Sequence, residues 1–426
     1  MFIHVVQKGD TLWQLSSMYG ADVSEIAALN GLTSDRLVPG LSLIFPAASL
    51  PIRLHKVSSG DTLWQLSMLY QTSVESITAA NPGVEPFQLL IGSVLRIPSP
   101  IKRLTRLLGF TFPYNQEMVI NVLENLGRYL TYLAVVGYSF TEEGYAYEES
   151  PVTGIIERSR QLNVIPLLMI RNIGRDGDFS AELAGSVLRD PVYRRNLVRS
   201  ISNLMVSRGY GGVSIDFEFI PPPQREAFSE FLRELKAEIG NSILHVNVHA
   251  KTEDIPTNRI IGAYDYKAIA EASDIVAVMT IDYGYPTGPP NPVSPYNWME
   301  EVIQYSLTEI PAGKLQIALP LYGYDWELPS YSTTARSSLD SQNLAIANWS
   351  PIFYVPAART PGYGYINNGM RHLVWFDDGR SYQEKYGLID LYKLHGATVW
   401  QLSLQAPQHW IIVDRNLTII KDSFPD

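Results

Sequence analysis

A motif of eight residues occurs twice in this sequence without a change, and it limits the folds that the first part of the chain can adopt. It reads Gly-Asp-Thr-Leu-Trp-Gln-Leu-Ser at residues 9–16 and again at residues 60–67. Three further landmarks recur in the same order in both copies: His4 and His55, Asn30 and Asn81, and residues 43–46 and 95–98. Duplication on this scale predicts one small structural unit that folds twice within the first hundred residues.

Each copy has the pattern of a strand, two helices and a closing strand. In the first copy, Thr11 can cap a helix and Gln14, three residues later, completes a capping box. Leu12, Leu15 and Tyr19 then form one apolar stripe at helical spacing. A second short helix and a strand that ends in Phe-Pro complete a βααβ unit.

These motifs resemble the LysM module, which binds polymers of N-acetylglucosamine such as peptidoglycan and chitin. We expect the modules at residues 2–48 and 53–99. Each should bind weakly, and tethering two of them raises the effective affinity. A duplicated structural unit without a ligand is the alternative. The Pro-Ser-Pro run at residues 98–100 predicts a short stiff linker, with separate cores on its two sides.

After residue 104, apolar β-rich runs alternate with helical patterns, as expected for βα units around a parallel sheet. Strands buried on both faces are nearly continuously apolar, and eight of them fit a closed barrel. The candidate strands are residues 107–112, 130–138, 164–170, 213–217, 244–250, 275–281, 315–319 and 397–400. An open doubly wound sheet is the alternative, but no glycine-rich phosphate loop follows the first strand.

The sequence therefore predicts an α/β protein, a (β/α)8 TIM barrel over residues 104–426 preceded by two small βααβ modules. Between the seventh and eighth strands we expect a helix over residues 336–348 and a hairpin that ends near Phe376.

Composition excludes several classes of protein. The formal net charge of −10 argues against a nucleic-acid partner, which needs a basic surface. The sequence has no cysteine for a disulfide or a thiolate metal site, and no apolar run long enough to insert in a membrane. Residues 1–10 lack the basic and apolar parts of a secretory signal. Nothing implies a protein partner, and a neutral polymer remains a reasonable ligand.

Histidines do not point to a metal site. The seven histidines are scattered, and only His245 and His249 have a spacing that could suit two ligands of one metal ion. We expect no carboxylate beside these two, so neither a metal nor a cofactor is predicted.

The fourth candidate strand carries two carboxylates. Period-two geometry places Ser214, Asp216 and Glu218 on one face, toward the barrel interior and its top. Two acids in a cavity of low dielectric cannot both ionise cheaply, so the pKa of one should rise. A buried carboxylate pair neutralised by a cation is the structural alternative.

Residues 211–218 resemble the active-site strand of the family 18 glycoside hydrolases, whose pattern is Asp-Gly-x-x-Asp-x-Asp-x-Glu or a close variant such as Asp-Gly-x-Asp-x-Asp-x-Glu, which has the eight positions of this segment. Glu218 corresponds to the terminal proton donor and Asp216 to the penultimate acid. Gly211 and Ser214 stand where the family has its opening and middle aspartates. The missing middle aspartate removes a usual partner of Asp216.

The sixth candidate strand also resembles this family, which has Met-x-Tyr-Asp where this chain has Met279, Ile281 and Asp282. Ile281 cannot supply the hydroxyl that the family tyrosine gives to the acetamido oxygen. If the strand alternation continues, Tyr283 faces the same way as Ile281 and can reach back to supply it. Simple stacking of Tyr283 on the sugar is the alternative. Asp282 is expected to hold a sugar hydroxyl.

Two further candidates contact substrate in this interpretation. Trp400 corresponds to the tryptophan that forms the base of the sugar subsite, although a core tryptophan is the alternative. Tyr322 lies in a run, residues 320–326, that is typical of the spore cortex-lytic subgroup. Residues 283–290 and 375–378 also resemble that subgroup, whose members carry tandem N-terminal LysM modules. Ser214 and Met279 complete the predicted substrate-binding set.

The resemblance implies a retaining, substrate-assisted β-N-acetylglucosaminidase of bacterial peptidoglycan, acting on spore cortex or cortical fragments during germination. Glu218 would act as acid and base, and Asp216 would orient the acetamido group. The enzyme would be located in the spore coat or cortex, or at the cell wall. A chitinase and a catalytically inactive sugar-binding barrel are the alternatives.

Overall fold

The computed structural model describes residues 2–46 and 50–425. The predicted boundaries at residues 48 and 426 lie outside these ranges. None of the helices in the described ranges has the length and apolar character that crossing a membrane requires.

The repeat folds as two βααβ units, as predicted. The first contains Phe2–Val5, Leu12–Tyr19, Val23–Asn30 and Ser42–Phe45, and the second contains Ile52–Lys56, Leu63–Leu69, Val74–Ala80 and Val94–Pro98. In both units the two strands pair antiparallel. The Thr11 hydroxyl accepts a hydrogen bond from the backbone N–H of Gln14 at 3.2 Å, and Thr62 does the same for Gln65. The predicted threonine cap is therefore formed in both copies, and the glutamine side-chain oxygen accepts from the threonine hydroxyl at 3.0 Å instead of from the backbone N–H of a full capping box.

Eight parallel strands form a closed barrel, because the first strand pairs with both the second and the eighth. In chain order they are Arg103–Thr111, Tyr132–Phe140, Ile165–Arg171, Gly212–Asp216, Ile243–His249, Ile275–Met279, Leu315–Pro320 and Gly396–Trp400. Each predicted strand overlaps one of these, so the predicted TIM barrel is confirmed.

Helices cover the outside of the barrel. They are Gln116–Leu126, Thr153–Gln161, Ala181–Arg189, Pro191–Arg208, Arg225–Ile239, Tyr266–Ala272, Tyr296–Glu309, Gly379–Tyr392 and Pro407–Asn416. Two short strands extend the barrel sheet: Ala146–Glu148 pairs with the second strand and Leu417–Ile419 with the first. Single 3-10 turns lie at Gly127–Tyr129, Pro222–Gln224 and Ala312–Lys314.

An insertion between the seventh and eighth strands forms a five-stranded antiparallel sheet. Its strands are Tyr322–Leu328, Thr333–Ser337, Phe353–Val355, Thr360–Asn367 and Met370–Trp375. The helix predicted at 336–348 is Ser338–Ala347, and the predicted hairpin consists of the last two strands. We call this sheet and helix the insertion.

The first module is not an independent unit, because its apolar core continues into that of the insertion. Hydrogen bonds join the module to the insertion: Ile352 N donates to Pro39 O at 2.8 Å, the Gln342 side chain to Asn30 O at 2.9 Å, and the Asn343 side chain to Gly31 O at 3.0 Å. Gln408 of the last barrel helix also donates to the Asn30 side chain, at 2.9 Å. The expectation of separate cores is wrong for this module, since its surface complements the insertion.

The second module docks through ion pairs. Arg53 binds Asp390 of a barrel helix at 2.7 Å, Arg103 shares that carboxylate, and Arg96 binds Glu384 at 2.9 Å. Ser99 is fully buried and its hydroxyl donates to Tyr70 O at 2.7 Å. Ser99 of the predicted linker is therefore packed against the second module, although Pro100 beside it is exposed, and the proline content of the run did not show this.

Candidate active site

A cavity of about 250 Å³ opens at the carboxyl ends of the barrel strands. We call it the central cavity. Its polar lining consists of Arg171, Asp216, Glu218, Asn247, Asp282 and Thr398. Carboxyl ends of barrel strands are where enzymes of this fold hold their chemistry, since side chains from several strands converge there.

The fourth barrel strand brings Asp216 and Glu218 to the cavity together, as the period-two pattern predicts. The strand ends at Asp216, and Glu218 lies in the segment immediately after it. Asn172 fixes this segment: its side-chain oxygen accepts from Glu218 N at 2.8 Å and its amide donates to Glu218 O at 2.9 Å. Phe219 then takes a positive φ of 55°, which turns the chain away. Glu218 is consequently held at the mouth, with 18% of its side chain exposed.

The environment of Asp216 raises its pKa. Burial raises it well above the usual range, and the charge of Glu218 raises it further. Arg171, its neighbour on the third strand, acts in the opposite direction and lowers the pKa. The Arg171 guanidinium also donates to Glu149 at 3.1 Å. A cation therefore faces Asp216 in a chain that lacks the family's middle aspartate.

Ser214 lies one pleat deeper than Asp216 and is not part of the cavity lining. It is fully buried, and its hydroxyl is 2.9 Å from Nδ1 of His245. Burial lowers the pKa of His245 to about 3, so this imidazole is neutral inside the barrel. The structure thus does not bring Ser214 to the position of a substrate-binding group, because two residues along a strand move a side chain about 6–7 Å inward.

Asp282 lines the cavity after the sixth strand and is held by two tyrosines. The hydroxyls of Tyr322 and Tyr324 donate to the same Asp282 oxygen at 2.7 and 2.9 Å. Burial raises the pKa of Asp282, the two tyrosine hydrogen bonds lower it, and the charge of Glu218 raises it. Tyr322 itself lines a neighbouring space of about 270 Å³ that shares Asp282 and Trp400 with the central cavity.

Tyr283 is not brought to the cavity. The sixth strand ends at Met279, two residues earlier than predicted, and Asp282 has a positive φ of 57°. This left-handed residue breaks the alternation that predicted Ile281 and Tyr283 on one face. Ile281 lines the cavity, whereas Tyr283 is 46% exposed and packs on Trp298 with ring centroids 5.2 Å apart.

Trp400 and Met279 lie where the resemblance predicted, at strand ends that line the cavity. The Trp400 ring packs against Phe110 and Phe112, with centroids 5.2 and 5.7 Å apart. Part of the ring remains accessible. A partly exposed indole on an aromatic support offers a flat apolar surface to a ligand.

Two residues of the fifth strand were missed by the sequence reasoning. Asn247 lines the cavity and donates to Ile215 O at 3.2 Å. His249 lies with Nε2 3.3 Å from Oε2 of Glu218, so the expectation of no carboxylate beside it is wrong. The sequence feature that could have identified His249 is its position at the end of a candidate strand. Across residues 2–46 and 50–425, no three His, Asp or Glu side chains are grouped so as to hold a metal ion.

The arrangement suits acid–base chemistry next to a flat apolar surface. A partly exposed carboxyl group, Glu218, can exchange a proton with a ligand, and Asp216 lies beneath it in an environment that penalises charge. A developing positive charge on a ligand would stabilise the ionised form of Asp216.

Comparisons with known proteins agree with this geometry. The model of the glycosyl hydrolases family 18 matches residues 167–405, and the LysM domain model matches residues 4–46 and 55–98. The cortical fragment-lytic enzyme of Bacillus anthracis is 32% identical over 98% of this chain and 99% of its own length. That of Bacillus subtilis (strain 168) is 32% identical over the whole of both chains.

A solved structure matches nearly the complete chain. The Bacillus cereus spore cortex-lytic enzyme SleL superposes with a TM-score of 0.85 at 31% identity, and the match covers 99% of each chain. The barrel, the two repeats and the paired acids of the central cavity thus have one explanation: this chain belongs to the glycosyl hydrolases family 18 and carries two N-terminal LysM domains.

Proposed function

We propose that this glycoside hydrolase is a retaining, substrate-assisted β-N-acetylglucosaminidase of bacterial peptidoglycan. The observation that carries the proposal is the placement of buried Asp216 and partly exposed Glu218 in one cavity that Trp400 borders. Retaining enzymes that use their own carboxylate as nucleophile need two acids on opposite sides of the bond. Here the two acids are only two residues apart at the end of one strand, which suits a nucleophile supplied by the substrate.

The proposed reaction has two steps. Glu218 protonates the leaving glycosidic oxygen while the carbonyl oxygen of the 2-acetamido group bonds to the anomeric carbon, giving an oxazolinium ion. Asp216 orients the acetamido group and stabilises its positive N–H. Glu218, now a carboxylate, takes a proton from water as the water oxygen replaces the acetamido oxygen.

The environment of Asp216 supports this role. Its raised pKa reflects the cost of a buried negative charge, and a positive oxazolinium N–H would offset that cost only after the ring has formed. Asp282, held by Tyr322 and Tyr324, would bind a sugar hydroxyl beside it.

The substrate is proposed from the relatives and the modules. The two Bacillus relatives are described as cortical fragment-lytic enzymes, and the matched crystal structure as a spore cortex-lytic enzyme. We therefore propose spore cortex peptidoglycan or its fragments as the substrate, with the LysM domains binding the glycan. We also propose that the protein is located in the spore coat or cortex, or at the cell wall.

The test is digestion of purified cortex and mass spectrometry of the products. We expect new reducing ends on N-acetylglucosamine, and loss of at least about a thousandfold in rate for Glu218→Gln. Glu142→Gln, which changes an exposed acid paired with Arg175, is the matched control and should cleave normally. A thiazoline mimic of the oxazolinium ion should inhibit competitively.

Other outcomes select the alternatives. New reducing ends on muramic acid would contradict the proposed specificity. Faster cleavage of chitin oligosaccharides than of cortex glycan would favour a chitinase. Binding of glycan without cleavage would favour an inactive sugar-binding barrel, and an active Glu218→Gln variant would show that the acid is another residue.

A further inference from the structure

The imidazole of His249 lies beside Glu218, the proposed acid, and the proposed reaction gives it no role. Its Nε2 is 3.3 Å from Oε2 of Glu218, close enough that a small rotation makes a hydrogen bond. Within the described part of the chain, Nε2 has no hydrogen-bond partner, although it is inaccessible to water. Because an unpaired buried nitrogen is costly, this placement calls for an explanation.

Packing fixes the ring in this position. Its centroid is 5.4 Å from that of Phe219 and 5.5 Å from that of Tyr264. Tyr264 is itself anchored by a hydrogen bond of 2.7 Å to Phe217 O, and the Tyr266 hydroxyl donates to His249 O at 2.6 Å. The imidazole is therefore held against the segment that carries Glu218, and its orientation does not depend on a ligand.

Among the basic groups that the structure describes near the cavity, His249 is the one placed to donate a hydrogen bond to Glu218. Three carboxyl groups meet here, those of Asp216, Glu218 and Asp282. Arg171 acts on Asp216, and the charge of His249 lowers the pKa of Asp282. In the residues that the structure describes, no other basic group contacts the Glu218 carboxylate.

We propose that His249 is a positioning residue whose Nε2–H donates to Oε2 of Glu218 and leaves Oε1 facing the bond to be cleaved. This rests on the proposed function. When Glu218 has given its proton to the leaving oxygen, the hydrogen bond stabilises the new carboxylate and keeps it in place. Water then returns a proton to Glu218 as it attacks the anomeric carbon. The imidazole keeps its own proton in both steps.

Two variants of the full-length chain separate this role from packing. His249→Phe keeps a ring between Phe219 and Tyr264 but has no donor, whereas His249→Gln loses the ring and keeps an N–H donor near the Nε2 position. On soluble cortex fragments, we expect His249→Phe to lower kcat by about 10- to 100-fold with KM within about twofold. His249→Gln should recover most of that loss. Thermal unfolding of both variants is measured alongside.

A purely structural role predicts the reverse order, with Gln the more impaired and less stable variant. That order, or wild-type kcat in His249→Phe, overturns the inference. Glu218→Gln, assayed in parallel, separates failure of the His249 inference from failure of the proposed function. If Glu218→Gln is inactive and His249→Phe is fully active, the proposed function stands and only the role of His249 falls. If Glu218→Gln cleaves normally, the acid assignment and the inference fall together.

Discussion

The internal repeat offers a matched test of how the first module is attached. Gly40 and Gly92 occupy the same place in the two copies, with φ values of 86° and 87°. Each donates its N–H to the residue just after the first strand of its module, to Val6 O and Val57 O, both at 2.8 Å. Their surroundings differ. A Cβ at Gly40 would lie 1.8 Å from Ile352 O of the insertion, whereas a Cβ at Gly92 meets nothing within 4 Å.

These contacts determine how much an alanine at each position should lower the free energy of unfolding. Alanine at a positive φ costs about 1–2 kcal/mol in either copy. At Gly40 the first module must also separate from the insertion and from the helix Gly379–Tyr392, which breaks the hydrogen bond from Ile352 N to Pro39 O and that from Arg380 to Gly40 O. Each contributes about 1 kcal/mol, and exposing Ile352 adds about 1–2 kcal/mol. Gly40→Ala should therefore lower the free energy of unfolding by about 4–6 kcal/mol, and Gly92→Ala by about 1–2 kcal/mol.

Urea denaturation and hydrogen exchange together measure this difference. We expect the first unfolding transition to move further toward low urea in Gly40→Ala than in Gly92→Ala, and the Ile352 amide to lose its protection only in Gly40→Ala. Equal destabilisation of the two variants, with the Ile352 amide protected in both, would refute the docking of the first module on the insertion.

Three further predictions concern side chains in the barrel. Tyr283→Phe should turn over cortex fragments within about threefold of the wild-type rate, because its ring lies outside the central cavity. Arg171→Met removes the cation that lowers the pKa of Asp216, so the acid limb of the kcat/KM profile should move to higher pH. Burial lowers the pKa values of His245 and His409 to about 3. Their contribution to stability is present above about pH 6.5 and is lost as the pH falls toward 3, by about 1.4 kcal/mol per unit for each, measurable by urea titrations.

Local periodicity made much of the barrel predictable from the sequence. The barrel strands are apolar on both faces, so their runs were recognisable without knowledge of their partners. Asp216 and Glu218 were predicted to share a face because the strand has a period of two, and the cavity contains both. The caps at Thr11 and Thr62 likewise depend on residues three positions apart.

Features that depend on other segments were not predictable in this way. The approach of His249 to Glu218 depends on how the fifth strand lies against the fourth and on the turn at Phe219. The outward position of Tyr283 results from the left-handed conformation of Asp282, for which the sequence Ile-Asp-Tyr gives no signal. The close approach of Ile352 to Gly40 cannot be recognised from the repeat, since a Cβ at its counterpart Gly92 meets nothing within 4 Å.

Docking of the first module has a consequence for the central cavity. Val374 and Phe376 lie in the core that the module shares with the insertion. The strand that carries Val374 pairs with the strand that carries Tyr322 and Tyr324, with Tyr324 opposite Trp375. These two tyrosines hold Asp282. The module therefore supports one wall of the cavity from behind.

Removal of residues 1–99 tests this connection. The large barrel core should still fold, but the insertion loses its apolar cover, and exposing several buried side chains costs about 1.5–3 kcal/mol each. We expect the truncated chain to unfold at a lower temperature and to cleave soluble cortex fragments with a lower kcat, because Asp282 is less firmly held. Removal of residues 1–49 alone should reproduce most of this loss, since the apolar core of the insertion is shared with the first module, whereas the second module pairs with the barrel helix Gly379–Tyr392. If both truncations cleave soluble fragments at the wild-type rate and differ only in binding insoluble peptidoglycan, the modules act as independent binding domains and support no part of the cavity.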